Sequence, residues 1–281
     1  MPELPEIQTT VDDLIKAGLP GRTITGCRIT WARTVLPLAS DSFIKNVIRR
    51  RIESIRRRGK YIVFHLSGDG FLVTHLRMTG QFELGPESRE DPGDPHDRVI
   101  FRLDDGRRLR FHDTRKFGRM VFTRKPGSIL DRLGPEPFDP ELNPDVFFRD
   151  LHTHSRQIKV LLLDQNFLAG LGNIYCDEAL YRARIHPLRS SRSLSPREAG
   201  LLLESIREVL ESGLRNRGTS LGEGETNYLS GGRRGENRNS LQVYGRDGEP
   251  CLCCGSIIEK IYVGQRGTHF CPHCQRPWSE P

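Results

Sequence analysis

No run in the 281-residue sequence approaches the roughly 20 consecutive apolar residues of a membrane span, which excludes a helical membrane anchor. The first residues also lack the basic, then apolar, then small-residue order of a secretory signal. Cysteine is scarce along most of the chain. Cys27 and Cys176 stand alone, and the other five of the seven lie at 251, 253, 254, 271 and 274. Clustering at one end argues against a disulfide framework and for metal ligation in a reducing compartment. There is no internal repeat. Together these absences lead to the expectation of a soluble, cytoplasmic protein. What the chain does have is charge: 28% of residues are Asp, Glu, Lys or Arg, and the formal net charge is +7. A basic balance suits a polyanion, nucleic acid first and an anionic membrane surface as the rival. The hydrophobic share of 36% suffices for real cores, and the length favours two domains over one.

Residues 1–133 read mostly as strands. In EIQTTVDDLIKAGLPG, Ile7, Val11, Leu14 and Ile15 fall near helical spacing, with Gly18 as a stop. KYIVFHLSGDGFLVTHLRMTG carries strands around a Gly68-Asp69-Gly70 turn, and DRVIFRLDDGRRLRFHD carries two more around Asp105-Gly106. One amphipathic helix followed by hairpins suggests a β-sandwich or barrel. GPEPFDPELNP (134–144) reads as a linker. Helical patterns follow, and SPREAGLLLESIREVLESGL has Ser195 as N-cap, Pro196 at the first helical position and Glu198 closing a capping box. Residues 218–240 are glycine-rich and poorly hydrophobic, a long loop of the kind that is functional or disordered. The division is therefore 1–133, 134–240 and 241–281.

The last division carries the strongest local signal. Cys251-Leu-Cys253-Cys254 and Cys271-Pro-His-Cys274 are separated by sixteen residues, a spacing that points to a four-thiolate zinc site of Cys251, Cys254, Cys271 and Cys274. Cys253 breaks the two-residue spacing, and His269 and His273 are the alternative ligands. Four thiolates leave no open position for a catalytic water, so the one zinc is structural and holds a unit too small to bury its own core. IYVGQRGTHF reads as a hairpin with Gly264, Arg266 and Gly267 near its tip.

Three stretches bear on nucleic acid. In DQNFLAGLGNIYCDEALYRARIHP, a glycine turn joins two helical patterns, with Asn173 as N-cap and Asp177 and Glu178 near the first turn. This is either a helix-turn-helix-like phosphate site or an ordinary helical hairpin. IRRRIESIRRRGKY (48–61) is either a solvated basic face or a device that fixes Lys60 at the start of a strand. HDTRKFGRM places Phe117 among basic residues, which suits phosphate contact with insertion at a base step, or else a core phenylalanine.

The opening MPELPE is too polar for a signal and too rich in proline for a helix, and the plain reading is a frayed tail. With RRRGKY, THLRMTG, HDTRKFG, LLLDQNFLAGLGNIYCDEAL, VYGRDGEPC and the two cysteine knuckles, however, it resembles the formamidopyrimidine-DNA glycosylases over nearly the whole chain. The resemblance implies an α+β multidomain fold: an N-terminal β-sandwich, a helix–two-turn–helix domain and a C-terminal zinc finger. It implies a monomer without membrane association, a partner in damaged double-stranded DNA, and a bifunctional glycosylase and lyase that removes oxidised purines by β,δ-elimination. Pro2, exposed by removal of Met1, is then the nucleophile and Glu3 the acid/base. Lys60 assists base removal and β-elimination, and Arg266 assists δ-elimination. His96, Arg115, Arg156 and Asn173 resemble DNA-binding positions. Met78, Arg115 and Phe117 resemble the trio that fills the gap left by a flipped base. An α-amino group titrates near ~7.7–8.0, so part of it is neutral at physiological pH and able to attack a sugar carbon.

Two departures stand out. Asn237 occupies a place where family members commonly have an aromatic residue, and Ser155 replaces a usual basic residue. The first, with the composition of 218–240, puts the preferred lesion in doubt. The alternatives are an endonuclease VIII-like enzyme for oxidised pyrimidines, against which Leu4 and the RMTG and RKFG stretches count, and a catalytically silent DNA-binding relative.

Overall fold

The computed structural model describes residues 1–86, 94–222 and 228–276. Two units can be separated: Met1–Arg132 with Asn216–Arg238, and Leu133–Arg215 with Asn239–Pro281.

The first unit begins with a helix at the place where the prolines of MPELPE argue against one. Helix α1 spans Leu4–Lys16. Pro5 falls in its first turn, where a missing N–H leaves no hydrogen bond unmade. The Glu6 carboxylate accepts the backbone N–H of Glu3 at 2.7 Å, the reach-back half of a capping box. Pro2, Glu3 and Leu4 are buried, so the opening is not a frayed tail. Ile7, Val11 and Leu14 face the core, whereas Ile15 is exposed. Gly18, at φ +72°, stops the helix as its position suggests.

Strands β1 (Ile24–Ile29), β2 (Ile52–Arg58), β3 (Tyr61–Leu66), β4 (Gly70–His75), β5 (Gly80–Pro86), β6 (Asp97–Leu103), β7 (Arg107–Asp113) and β8 (Arg119–Thr123) follow, with α2 (Ser40–Val47) between β1 and β2. A single turn, α3 (Gly127–Leu130), comes after β8. They form two antiparallel four-stranded sheets, ordered β1-β6-β7-β5 and β2-β3-β4-β8. Phe64 of the second sheet meets Phe82 of the first edge-on at 5.4 Å, and Phe82 meets Phe111 at 5.2 Å. These rings, with Phe101 and with Phe43 of α2, fill one core between the sheets, which makes the unit a β-sandwich.

The arginine run before β3 is not a single solvated face. Arg50 donates to the carbonyls of Asn46, Ser67 and Gly68 and lies over the Phe122 ring. Arg57 reaches Gln8 of α1 at 2.9 Å. Arg49, Arg51 and Arg56 are exposed.

The described parts of 216–238 are tied to α1, and they include a short hairpin of β9 (Leu229–Ser230) and β10 (Arg233–Arg234). Thr219 N–H donates to the Glu6 carboxylate at 2.7 Å, and the Tyr228 hydroxyl donates to the Glu6 carbonyl at 2.9 Å. Arg217 and Ser230 both donate to Asp13. Asn237 is buried, donating to Thr219 Oγ1 and accepting from the Asn216 amide, both at 3.1 Å. A small polar side chain is therefore built into this position. Residues 223–227 of the expected 218–240 loop lie outside the described residues.

The second unit holds α4 (Pro144–His152), α5 (Ile158–Leu162), α6 (Asn173–Arg182) and α7 (Pro196–Arg215), then the hairpin of β11 (Glu259–Val263) and β12 (Arg266–Phe270). Helix α7 starts with the capping box expected of it: Glu198 accepts from Ser195 N–H at 2.8 Å, and Ser195 Oγ accepts from Glu198 N–H at 3.3 Å. It packs on α4 and α6 through Leu202, Leu203, Ile206 and Leu210. The proline-rich 134–144 segment is not a loose linker. Arg207 of α7 donates to the carbonyls of Pro137 and Leu142, and Ala169 N–H donates to that of Pro135. Prolines lack donors but keep carbonyls, and these are the groups used. Among the described residues no helix is long and apolar enough to cross a membrane.

Candidate nucleic-acid interface and metal centre

In the first unit three of the expected catalytic groups, Pro2, Glu3 and Lys60, sit on elements joined by hydrogen bonds. Pro2 and Glu3 head α1, and both are buried. Lys60 is 4% exposed and follows Gly59, whose φ of +55° makes the β2–β3 turn. Arg57 spans the distance between these elements, donating to Gln8 of α1 at 2.9 Å and to the Gly59 carbonyl at 3.3 Å. His75 lies edge-on against Tyr61 at 4.8 Å, and its Nδ1 accepts from Arg77 N–H. Burial pushes the His75 imidazole down to about 3, and the positive charges of Arg77 and Lys60 push it the same way. The ring beside Lys60 is thus neutral at physiological pH.

The expected gap-filling residues occupy adjacent turns of the same unit. Met78 is 39% exposed and Phe117 is 46% exposed. Phe117 is therefore no core phenylalanine. The Arg115 guanidinium lies 4.8 Å from the Phe117 ring centroid. The buried carboxylate of Asp113 joins the two turns, accepting from the Thr79 hydroxyl, from Arg115 N–H at 3.2 Å and from Gly118 N–H at 2.7 Å. His96 sits just before β6, its Nδ1 3.0 Å from Nη2 of the buried Arg98.

The second unit assembles the finger. The Sγ atoms of Cys251, Cys254, Cys271 and Cys274 all lie within 4.8 Å of one another, the only such cluster among the described residues. Cys251 and Cys274 are 3.9 Å apart, and Cys254 and Cys271 are 3.5 Å apart. A tetrahedron with metal–sulfur bonds of about 2.3 Å has edges of about 3.8 Å, so the four residues fit one zinc ion. Cys253 points away to Arg184, and His269 turns to Asp177 and Asp247. The β11–β12 hairpin turns at Gly264 and Gln265, as expected, and leaves Arg266 exposed. A Cβ on Gly264 would lie 2.9 Å from a Val160 methyl, so the tip rests on α5.

Two expectations for α6 change. Gly172, not Asn173, is the N-cap, and Asn173 is the first helical residue. Its amide donates at 3.0 Å to the carbonyl of Gly267, next to Arg266. Asp177 and Glu178, expected near the first turn, follow it and are buried. Asp177 pairs with the fully buried Lys159 and accepts His269 N–H at 2.9 Å. Glu178 accepts three consecutive N–H groups, of Gln242, Val243 and Tyr244, at 2.8–2.9 Å. Burial raises the Glu178 carboxyl, and these donors pull it back. Arg156 is exposed and pairs with Asp164 at 2.8 Å.

The sequence reading missed Asp113, Arg98, Asp177 and Glu178 as organising groups. The available signal was Asp directly before a Thr-containing turn in one case, and acids inside a buried helix in the other.

The architecture is thus a β-sandwich, a helical unit with a glycine turn before α6 and a four-thiolate finger, the three-part arrangement of a zinc-finger protein of the expected helix–two-turn–helix type. Family models agree along the chain. The formamidopyrimidine-DNA glycosylase N-terminal domain matches residues 1–120, the formamidopyrimidine-DNA glycosylase H2TH domain matches 133–223, and the zinc finger found in FPG and IleRS matches 248–277. The chain is 43% identical over 277 residues to a formamidopyrimidine-DNA glycosylase of Protochlamydia amoebophila, covering 98% of this chain and 100% of that one. It is 44% identical over 279 residues to one of Herpetosiphon aurantiacus, with the same coverage. A crystal structure of a Lactococcus lactis FPG mutant with Fapy-dG-containing DNA superposes with TM-score 0.90 at 36% identity, covering 98% of this chain and 100% of that chain. The Lactococcus lactis Fpg complex with abasic-site DNA gives 0.89, at the same identity and coverage. The chain belongs to the formamidopyrimidine-DNA glycosylase family.

Proposed function

We propose that the protein is a DNA glycosylase of base excision repair that removes oxidised purines from duplex DNA and then cleaves the strand as an AP lyase, with Pro2 as nucleophile. The observation that carries this reading is that Pro2 and Glu3 are buried at the head of α1 instead of fraying. Once Met1 is removed, Pro2 is a secondary amine at the positive end of a helix, where a cation is disfavoured and the neutral, nucleophilic form is promoted. Its nitrogen bonds to C1′, and the glycosidic pair leaves with the base. Glu3 supplies and takes protons during base departure and sugar ring opening. The iminium acidifies C2′, so loss of that proton expels the 3′ phosphate, and a second elimination expels the 5′ phosphate.

Lys60 assists the first elimination, and Arg266 contacts phosphate in the second. Met78, Arg115 and Phe117 fill the gap left by the flipped nucleotide, offsetting part of the few kcal/mol that extrusion costs. His96, Arg156 and Asn173 contact the phosphate backbone. Cys251, Cys254, Cys271 and Cys274 hold one zinc, which keeps the finger folded and takes no part in the chemistry. The protein acts as a monomer on cytoplasmic DNA.

Incubation with duplexes carrying 8-oxoguanine or thymine glycol, with borohydride present, tests the reading. Preferred excision of 8-oxoguanine with a trapped covalent adduct supports it. Preference for thymine glycol assigns the lesion to oxidised pyrimidines, and binding without any adduct leaves only a DNA-binding relative.

A further inference from the structure

Resting on the gap-filling reading of Met78, Arg115 and Phe117, we propose that Asp113, steadied by Arg98, is the positioning residue that makes their two turns insert into DNA as one body. Two large apolar side chains stand exposed on short turns, where apolar groups are ordinarily loose. Side chains ordered only on insertion would spend part of the gained energy on their own immobilisation. Here the turns that carry them are held in place before DNA arrives.

One Asp113 oxygen accepts from the Thr79 hydroxyl and Arg115 N–H, and the other accepts from Gly118 N–H. The Thr79 hydroxyl oxygen also accepts from Arg115 N–H at 3.2 Å. A fully buried carboxylate thus bridges the Met78 turn and the Arg115–Phe117 turn with charge-assisted hydrogen bonds. Arg98, 4% exposed, donates from Nε to the Asp113 carbonyl at 2.7 Å and from Nη1 to the Pro95 carbonyl at 2.9 Å, and contacts His96 through Nη2. The base beneath is rigid as well. Cβ atoms built on Gly80 and Gly118 would lie 3.0 and 2.4 Å from the Phe111 ring, so both turns rest flush on a core aromatic.

The test compares one lesion in two duplexes: fully paired, and opposite an abasic position, where extrusion breaks no base pair. Asp113→Asn keeps shape but removes an acceptor. It should lose about tenfold in kcat/KM on the paired duplex, the cost of one charged hydrogen bond, and little on the unpaired one. Thr79→Val should follow it, and Thr79→Ser should restore wild-type behaviour. Equal losses on both duplexes, or no loss on either, overturn the proposal. Phe117→Ala separates the two levels. If it spares the paired duplex, the gap-filling reading fails and the positioning role falls with it. If it discriminates between duplexes while Asp113→Asn does not, only the positioning role fails. Should Asp113→Asn melt below assay temperature, Thr79→Val decides the outcome.

Discussion

The sandwich and the cysteine finger each present an exposed turn, one carrying Phe117 and the other Arg266, on different foundations. Beneath the Phe117 turn lies an apolar core of interlocked aromatic rings, with one buried carboxylate added at its edge. Around the finger's thiolates the buried apolar cluster is small, made of Tyr181, Val243, Ile258 and two of the thiolate residues themselves. Metal ligation and the buried acids of α6 do there what hydrophobic burial does in the sandwich. A unit rich in core spends its polar groups on aiming side chains. A unit poor in core needs them to exist at all.

The difference is open to attack, starting with the largest effect. Zinc removal by chelation, or Cys271→Ser, takes away an interaction worth ~10–16 kcal/mol in small zinc units. Heteronuclear NMR should show the finger signals collapse while those of the sandwich persist, and DNA binding should fall with the finger. A sandwich that melts together with the finger would erase the contrast. Asp177→Ala leaves the buried Lys159 ammonium unpaired and frees His269 N–H, a loss of about 3–5 kcal/mol. Differential scanning calorimetry should place it in the second unit. Acidification tests the first unit. His75 is held near 3 in the fold against 6.5 unperturbed, so the unfolded chain takes up the proton first. Stability is then full above pH 6.5 and declines towards pH 3 by about 1.4 kcal/mol per pH unit from this group. Urea titrations across that range should show the slope, and His75→Asn should flatten it. The smallest effect is Ser195→Ala, which removes the α7 cap at about 1 kcal/mol and should leave excision rates untouched.

The parts written locally in the chain were legible. Hairpin turns at Gly68-Asp69-Gly70 and Asp105-Gly106, the cap at Ser195 and the cysteine knuckles each depend on a few neighbouring residues, and each stands where the sequence puts it. Long-range ties were not legible. Nothing local to Glu6 in the first turn of α1 points to Thr219 and Tyr228, more than two hundred residues away, which it anchors. Glu178 reads as an acid near the first turn of its helix, yet three N–H groups from 242–244 converge on it. The proline count misled twice. It argued against a helix at the start, where a first-turn proline is harmless, and for a linker at 134–144, where free carbonyls tie the segment down.

The nucleophile itself is decided by digesting the borohydride-trapped protein–DNA adduct and sequencing the modified peptide by mass spectrometry. The reduced sugar should sit on the nitrogen of Pro2, in a peptide lacking Met1. An adduct on Lys60, or full activity from protein that retains Met1, would contradict the assignment.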